Sequence, residues 1–242
     1  MSTTSSSFKV IKYFRKIIMK FEDRGFLISK NKYNENSVIA EFYTEFNGKI
    51  SGIIFGATSK KIKNFLLIGN HFNIQFNSKN QNRAGYFKTE IEKIFTPHFL
   101  DDKIKLNCIL YSLNLIKILT VENQSNINIY NQLFKLFELL NEDDWIKKFI
   151  FWELEVIKLV GYDINFTDYI DTKKLSKNDD YIPTLDGSKK IPIFLLKIKK
   201  SQINYNELKD GLKIVGDFLN KTVLAPNNIN FPLSRREFTK LV

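Results

Sequence analysis

The chain has 242 residues, of which 43% are hydrophobic and 14% aromatic, and its formal net charge is +11. This composition excludes a disordered chain, and the length suffices for one large domain or two modest ones. With two histidines and one cysteine, Cys108, the chain cannot form an internal disulfide, a cysteine-based zinc site or an ordinary multi-histidine metal site. We therefore expect a protein of a reducing, cytosolic compartment, without the apolar run of roughly 20 residues that a membrane span needs.

The basic excess points to a polyanionic partner, such as nucleic acid or an anionic membrane surface. Codon bias is the alternative, because the chain is rich in the residues that AT-rich codons specify. The position of the charge bears on this choice: residues 1–63 carry twelve Lys and Arg against five Asp and Glu, a net +7. About a quarter of the chain thus holds most of the charge.

The first eighteen residues are rich in Ser and Thr, then basic and amphipathic, and they contain no acidic residue. They fit a basic arm, a targeting peptide or a translation start assigned too early, with Met19 as the working initiator. We favour the last interpretation and treat residues 1–18 as an extension, either disordered or absent from the working protein.

Residues 19–96 carry the pattern of short strands. Val38, Ala40 and Phe42 alternate with more polar residues, which is the period of two expected of a half-buried strand. Asn47-Gly48 follows, and it predicts a type I′ hairpin because both residues tolerate positive φ.

The return strand of this hairpin contains Gly52, where a glycine predicts a bulge or a sharp bend. We expect the sheet to continue through 65–77, with Phe72, Ile74 and Phe76 on one face, and to end with a strand in 85–95. About five strands at this spacing predict a small closed barrel of the oligonucleotide-binding (OB) type.

After Pro97 the apolar spacing becomes helical, which predicts an α-helical domain over residues 97–242. Its clearest helix is expected to start after Asp143 or Asp144 and to end at Gly161. The apolar stripe of that helix consists of Trp145, Phe149, Trp152, Val156 and Leu159. The fold class is therefore α+β, an N-terminal OB barrel (19–96) followed by a helical domain.

Within the helical domain, residues 163–200 are irregular and polar and predict an insertion made of loop or short hairpin. Helical spacing returns after it. The last helix is expected to open with a capping box formed by Ser234 and Glu237.

Catalysis is not expected, because the chain lacks a phosphate-binding glycine loop, a nucleophile elbow and a zinc-protease motif. Glu153 and Glu155 flank an apolar stripe, and we interpret both as solvated helix residues. His71 is predicted to be an exposed strand residue and Cys108 a packed core residue.

Lysines provide the candidate site. Lys60, Lys61 and Lys63 follow the predicted strand that begins beside Lys49, and loops at the ends of barrel strands are where such folds contact a phosphate backbone. We predict nucleic-acid binding by these four lysines. Phe55 and Phe65 lie among them and are suited to stacking on bases, although aromatic residues of such a phenylalanine-rich chain are more often core.

Four segments in order resemble the RecO family of bacterial recombination mediators. They are DRGFLISKNKYNENSVIAEFYTEFNGKISGIIFGATSKK (23–61), FLLIGNHFNIQF (65–76), FIFWELEVIKLVGYDINF (149–166) and DGLKIVGDFLNKTVLAP (210–226). The third is similar to the family's signature helix, which carries an acidic residue and ends at a glycine. The resemblance extends from about Met19 to Val242 and rests on the order of the segments rather than on one specific motif.

The resemblance implies an OB barrel and a helical domain that bind single- and double-stranded DNA and anneal complementary strands. It also implies loading of RecA, together with RecR, onto DNA coated by single-stranded-DNA-binding protein, whose acidic C-terminal tail is a partner. No catalytic group, cofactor or membrane is implied. The basic positions that match the family are Lys60, Lys61 and Lys63.

The sequence departs from the family pattern at three places. Some members carry a four-cysteine zinc module after the signature helix, but residues 162–190 contain no cysteine, so we expect no zinc. Phe55 stands where the family often has a basic residue, and Ile68 stands where it has proline. Two other functions stay open from the residues alone: a generic OB module that binds single-stranded DNA or RNA, and a nuclease with unrecognised carboxylates.

Overall fold

The computed structural model describes residues 19–78, 84–174, 179–197 and 203–242. The predicted extension, residues 1–18, lies outside these ranges, and so do four of the basic residues behind the N-terminal charge excess: Lys9, Lys12, Arg15 and Lys16. Within the described ranges, no helix has both the length and the apolar character required to cross a bilayer.

Five strands form a closed barrel, as the sequence predicted. Each strand hydrogen-bonds to two others, in the order β1-β2-β3-β5-β4 and back to β1, and only the β3–β5 pairing is parallel. This is the arrangement of an OB barrel. The strands are β1 (Met19–Lys32), β2 (Ser37–Thr44), β3 (Gly48–Phe55), β4 (His71–Ser78) and β5 (Gly85–Lys93), and a short helix α1 (Lys60–Lys63) lies between β3 and β4.

Strand alternation divides the barrel residues between two cores. The interior contains Leu27, Phe42, Ile54 and eight further buried residues, including the predicted face Phe72, Ile74 and Phe76. Side chains of the opposite parity, Phe26, Ile28 and Tyr43, point outward and are buried against the helices. One side of the barrel is therefore covered by the helical domain.

The predicted strand over 65–70 is not formed, because this segment consists of turns. Its residues are used differently: the backbone N–H of Gly69 donates to Leu27 O, and that of Leu27 donates to Asn70 O. The predicted type I′ turn is also wrong. Thr44 pairs with Gly48 across a three-residue loop, and only Gly48 has a positive φ, +69°.

Gly52 is not a bulge, since the β2–β3 register runs through it without a shift. Bulges occur instead at Ile28 of β1 and at Glu92 of β5, which lies opposite His71 and Phe72 of β4. Gly52 lies where β3 closes the barrel against β5, and a Cβ there would approach the Phe87 ring to 2.7 Å. A glycine is needed here because of close approach rather than curvature.

In the described part of the helical domain, five longer helices share an apolar core. The expected stripe of the α4 helix is confirmed, with Phe149, Trp152 and Val156 buried, and the helix ends before Gly161. The helices are α2 (Lys103–Leu119), α3 (Ile127–Leu139), α4 (Trp145–Leu159), α5 (Tyr205–Leu219) and α6 (Leu233–Leu241).

Capping differs from the prediction. Pro232 precedes α6, no side chain caps that helix, and the buried hydroxyl of Ser234 has no hydrogen-bond partner among the described residues. The reciprocal capping box stands at α5, where Asn204 and Glu207 bond each other's backbone N–H.

The irregular stretch after α4 includes the predicted short hairpin, β6 (Tyr181–Pro183) paired with β7 (Lys190–Pro192). Polar residues of this hairpin, such as Lys189 and Lys190, are exposed. Its apolar residues Ile182, Ile191 and Phe194 are buried in the helical core, which fixes the hairpin to the domain.

Candidate nucleic-acid interface

Helix α1 presents three lysines to solvent. Its one apolar side chain, Ile62, packs on the barrel core, and this orientation leaves Lys60, Lys61 and Lys63 on the surface. None of the three forms an ion pair with a residue that the structure describes. We call Lys60, Lys61 and Lys63 the lysine ridge.

One side of the ridge borders a small cavity at the end of the barrel, of about 290 Å³. Lys30 and Lys32 of β1 and Lys63 of α1 are among its lining residues. We call this cavity the basic pocket; its remaining lining residues are Asn31, Val38, Ala57, Thr58 and Leu66. Because no acidic side chain is among these described lining residues, the pocket is suited to an anion such as a phosphate.

Lys30 is the more enclosed of the two β1 lysines. Its ammonium donates to Leu66 O, and burial lowers the pKa of Lys30. Lys30 and Lys32 were not among the predicted site residues. Alternation counted from the interior residue Leu27 would place both lysines on the outer side of β1. The bulge between Leu27 and Ser29 reverses this, so they pair with Ala40 and Val38 and point toward the barrel interior where it opens to solvent.

Lys49 is not near the ridge. Its ammonium donates to Lys117 O and Thr120 O, 2.7 and 2.5 Å away, at the C-terminal end of α2. Cations are favoured at this end of a helix, because the last carbonyls have no intrahelical partner. The structure thus brings together three of the four predicted lysines and places Lys49 in the contact between barrel and helices.

The two aromatic residues beside the ridge are on the surface rather than in the core. Phe55 is 59% exposed and Phe65 is 40% exposed. Phe65 lines a broad groove of about 890 Å³, and most of its other lining residues come from α1 and from β1, β4 and β5. That groove contains both signs of charge, with Arg24, Lys61 and Lys88 opposed by Glu22, Asp23 and Glu90, so it attracts anions less than the basic pocket does.

Glu153, which was expected to be a solvated helix residue, is buried. Glu153 has no exposed surface and pairs with the equally buried Arg235 of α6 at 2.7 Å, while the Tyr111 hydroxyl also donates to it. Arg235 further donates to Leu212 O. This cluster joins α2, α4, α5 and α6 and has no opening, so it is structural. Glu155 is exposed, as expected.

His71 is 1% exposed, although an exposed strand residue was predicted. Its Nε2 lies 2.7 Å from the Tyr130 hydroxyl of α3, and its Nδ1 lies 3.1 Å from a Glu92 carboxylate oxygen. Burial, with the charges of Lys93 and Arg24, lowers the pKa of His71 to about 4. The ring is therefore neutral at pH 7 and belongs to the barrel–helix contact.

Cys108 is fully buried, as expected, and burial raises the pKa of its thiol. The described ranges contain no group of three His, Cys, Asp or Glu side chains that could hold a metal ion.

Two family models match the chain. The model described as "Recombination protein O N terminal" matches residues 19–95, and the one described as "Recombination protein O C terminal" matches residues 100–227. The chain belongs to the RecO family. The two matches meet where the barrel ends and the helices begin.

Relatives in the RecO family match along nearly the whole chain. A protein of Ehrlichia chaffeensis named DNA repair protein RecO is 25% identical, covering 93% of this chain and 98% of its own length. Proteins of the same name from Rhodospirillum rubrum and Rickettsia canadensis are 22% and 25% identical and cover 92% and 86% of this chain. The family resemblance read from the sequence is confirmed.

Proposed function

We propose that this RecO-family chain is a non-enzymatic DNA repair and recombination mediator of the bacterial cytoplasm. In this role it binds single- and double-stranded DNA, anneals complementary strands and, with RecR, helps to load RecA onto strands coated by single-stranded-DNA-binding protein. The observation that carries the proposal is the basic pocket with its ridge: five lysines at one end of an OB barrel, with no acidic residue among the pocket's described lining.

The chemistry of annealing requires no catalytic group. Repulsion between phosphates opposes the pairing of two strands, so a surface that neutralises both strands lowers the barrier to their meeting. Exposed ammonium groups without competing carboxylates provide that neutralisation. Consistent with this, the buried carboxylate of Glu153 is paired with Arg235 in a closed structural cluster.

A cavity of about 440 Å³ on the helical domain supports the partner proposal. Phe151, Leu154 and Phe194 are among its apolar lining residues, and its charged lining residues are Lys147, Lys158 and Lys197 against Glu155 and Asp163. Lys158 pairs with Asp163, which leaves two lysines against one carboxylate. An apolar lining with this small excess of positive charge suits an acidic peptide that also carries apolar side chains. We assign it to the C-terminal tail of single-stranded-DNA-binding protein, and a pull-down with and without that tail tests the assignment.

The DNA-binding proposal is tested with Lys60→Ala combined with Lys61→Ala. Fluorescence anisotropy of a labelled single strand, measured at several salt concentrations, should show weaker binding and a shallower salt dependence. Each lost phosphate contact is expected to reduce the slope of log K against log salt by about 0.7.

The matched control is Lys173→Ala with Lys174→Ala, an exposed lysine pair on the helical domain that removes the same net charge. Its slope should stay close to that of the unaltered chain. Equal effects of the two pairs would show that only net charge matters and would overturn the ridge as the site.

Annealing separates this proposal from the two alternatives. Faster pairing of complementary DNA strands without ATP or metal supports the mediator, and no acceleration at low salt contradicts it. A strong preference for RNA would favour a generic RNA-binding module. Metal-dependent strand cleavage would favour a nuclease.

A further inference from the structure

The outer face of β2 and β3 is divided into a covered half and a free half. In the covered half, the Tyr43 hydroxyl donates to Asn126 O, and Lys49 donates to the end of α2. The cover ends at Ser51, whose hydroxyl donates to Glu122 of the α2–α3 connection at 2.9 Å. Beyond Ser51, no described helix lies on this face.

The free half is apolar. Strand alternation places Ile53 and Phe55 on the same side as Lys49 and Ser51, while Ile39 pairs across β2 with Ile53, and Tyr86 pairs across β5 with Ile53. Ile39 is 38% exposed and Phe55 is 59% exposed, and the Phe55 and Tyr86 rings lie 6.1 Å apart. We call Ile39, Ile53, Phe55 and Tyr86 the aromatic face.

The aromatic face adjoins the basic pocket along the chain. Val38, which lines the pocket, precedes Ile39, and Ala57, which also lines it, follows Phe55 by two residues. The Ala57 N–H donates to Asn36 O, which fixes the end of β3 to the start of β2. Val38 and Ala57 face the barrel interior, whereas Ile39 and Phe55 face outward, so the cationic cavity and the apolar surface lie on the two sides of the edge that the start of β2 and the end of β3 form.

We propose that the aromatic face stacks unpaired bases of single-stranded DNA while the basic pocket and lysine ridge hold the adjacent phosphates. The inference rests on the proposed function and specifies its substrate as DNA with exposed bases. Chemical complementarity selects this occupant. The phosphates of a single strand match the cationic basic pocket, and its flat apolar bases match the aromatic face. Paired bases inside a duplex cannot present their ring faces, so the aromatic face favours single strands over double strands.

Phe55 contributes to binding by stacking on a base, whereas a basic side chain at position 55 would bind a phosphate. A basic side chain at this position would add one more phosphate contact. Phenylalanine instead adds a contact that is independent of salt. The loss of Phe55 and the loss of the ridge lysines should thus leave different signatures.

The test compares Phe55→Ala with the unaltered chain on two labelled strands of equal length, oligothymidylate and an abasic backbone. Stacking on one base is lost with Phe55→Ala, so oligothymidylate should bind at least about fivefold more weakly. The abasic strand should bind within about twofold of its original affinity. The salt slope should not change on either strand, whereas Lys60→Ala with Lys61→Ala should flatten it on both.

Phe55→Trp is the second variant, and it should retain or strengthen binding to oligothymidylate. Since Phe55 is largely exposed, both variants should keep the thermal midpoint of the chain, which circular dichroism verifies. Equal affinity of Phe55→Ala and the unaltered chain for oligothymidylate would overturn the inference, as would an equal loss on the abasic strand. So would a change in sedimentation coefficient caused by Phe55→Ala alone, since that would assign the face to a second copy of the chain.

These outcomes separate the two proposals. If the lysine variants weaken binding but Phe55→Ala does not, only the inference fails. If the unaltered chain binds neither strand at low salt, the proposed function fails and the inference fails with it.

Discussion

Replacing Glu153 by Gln is expected to lower the free energy of unfolding by about 3–5 kcal/mol, since it leaves the guanidinium of Arg235 buried without a counter-charge. Both side chains are at most 1% exposed, and Nη1 of Arg235 lies 2.7 Å from Oε2 of Glu153. Glutamine has the size of glutamate. The loss therefore comes from the missing charge and not from a cavity.

This loss is a large fraction of the whole stability, because the free energy of unfolding of a domain is about 5–15 kcal/mol. Arg235→Met should cost a similar amount, since it leaves the Glu153 carboxylate buried without a counter-charge. The double variant Glu153→Leu with Arg235→Met removes both charges. It leaves the Tyr111 hydroxyl without its partner at about 1–3 kcal/mol. Removing both ions also removes the cost of burying them, which offsets about 1–4 kcal/mol of this loss. The free energy of unfolding of the double variant should therefore fall by no more than that of either single variant.

Urea unfolding followed by tryptophan fluorescence measures these values. Both tryptophans lie in α4, beside the cluster, so the signal reports on the helical domain. The control is Glu237→Gln, which breaks the exposed pair with Lys240 on the same helix as Arg235. This control should change the free energy of unfolding by less than about 0.5 kcal/mol.

Two results would refute the reasoning. One is a loss below about 1 kcal/mol for Glu153→Gln, which would mean that water or a rearranged side chain compensates Arg235. The other is a double variant whose loss equals the sum of the losses of Glu153→Leu and Arg235→Met measured singly, because independent groups add and a coupled pair does not.

Three further predictions concern the barrel and its contact with the helices. Because the pKa of His71 is about 4 in the folded chain and about 6.5 when unfolded, its stabilisation is complete above pH 6.5 and is lost as pH falls toward 4, by up to about 1.4 kcal/mol per pH unit. Urea midpoints at pH 7 and pH 5 should thus differ less for His71→Gln than for the unaltered chain. Lys49→Met should lower the free energy of unfolding by about 1–3 kcal/mol without altering the salt slope of DNA binding, because its ammonium bonds α2; a shallower slope would return Lys49 to the binding site. Gly52→Val should cost about 1–3 kcal/mol in thermal or urea unfolding, since its Cβ would meet Phe87 at 2.7 Å; an unchanged midpoint would show that β3 and β5 can separate there.

Local periodicity was sufficient to predict the order of strands and helices. A period of two in β2 and near 3.6 in α4 arises from backbone geometry that each segment carries by itself. The same locality explains the failures in the barrel. Residues 65–70 are apolar enough for a strand, but β1 has its two neighbours already, so this segment turns and bonds Leu27 instead.

The ridge was predictable because charge on a short segment between strands has few alternatives to solvent. Lys49 was not, since the groups that bind it, at Lys117 and Thr120, lie far away in the chain. Glu153 shows the same limit: a glutamate beside an apolar stripe looks solvated until Arg235, 82 residues later, is packed against it.

The sequence by itself determined a barrel followed by helices, and an excess of positive charge in the barrel region. These features depend on composition and on the periodicity of apolar residues within short segments. Only the tertiary structure decided which charged groups meet solvent. Burial depends on which elements pack together. Packing of the helices on one half of the β2–β3 face encloses Lys49 and Tyr43 and leaves Phe55 free beside the lysines.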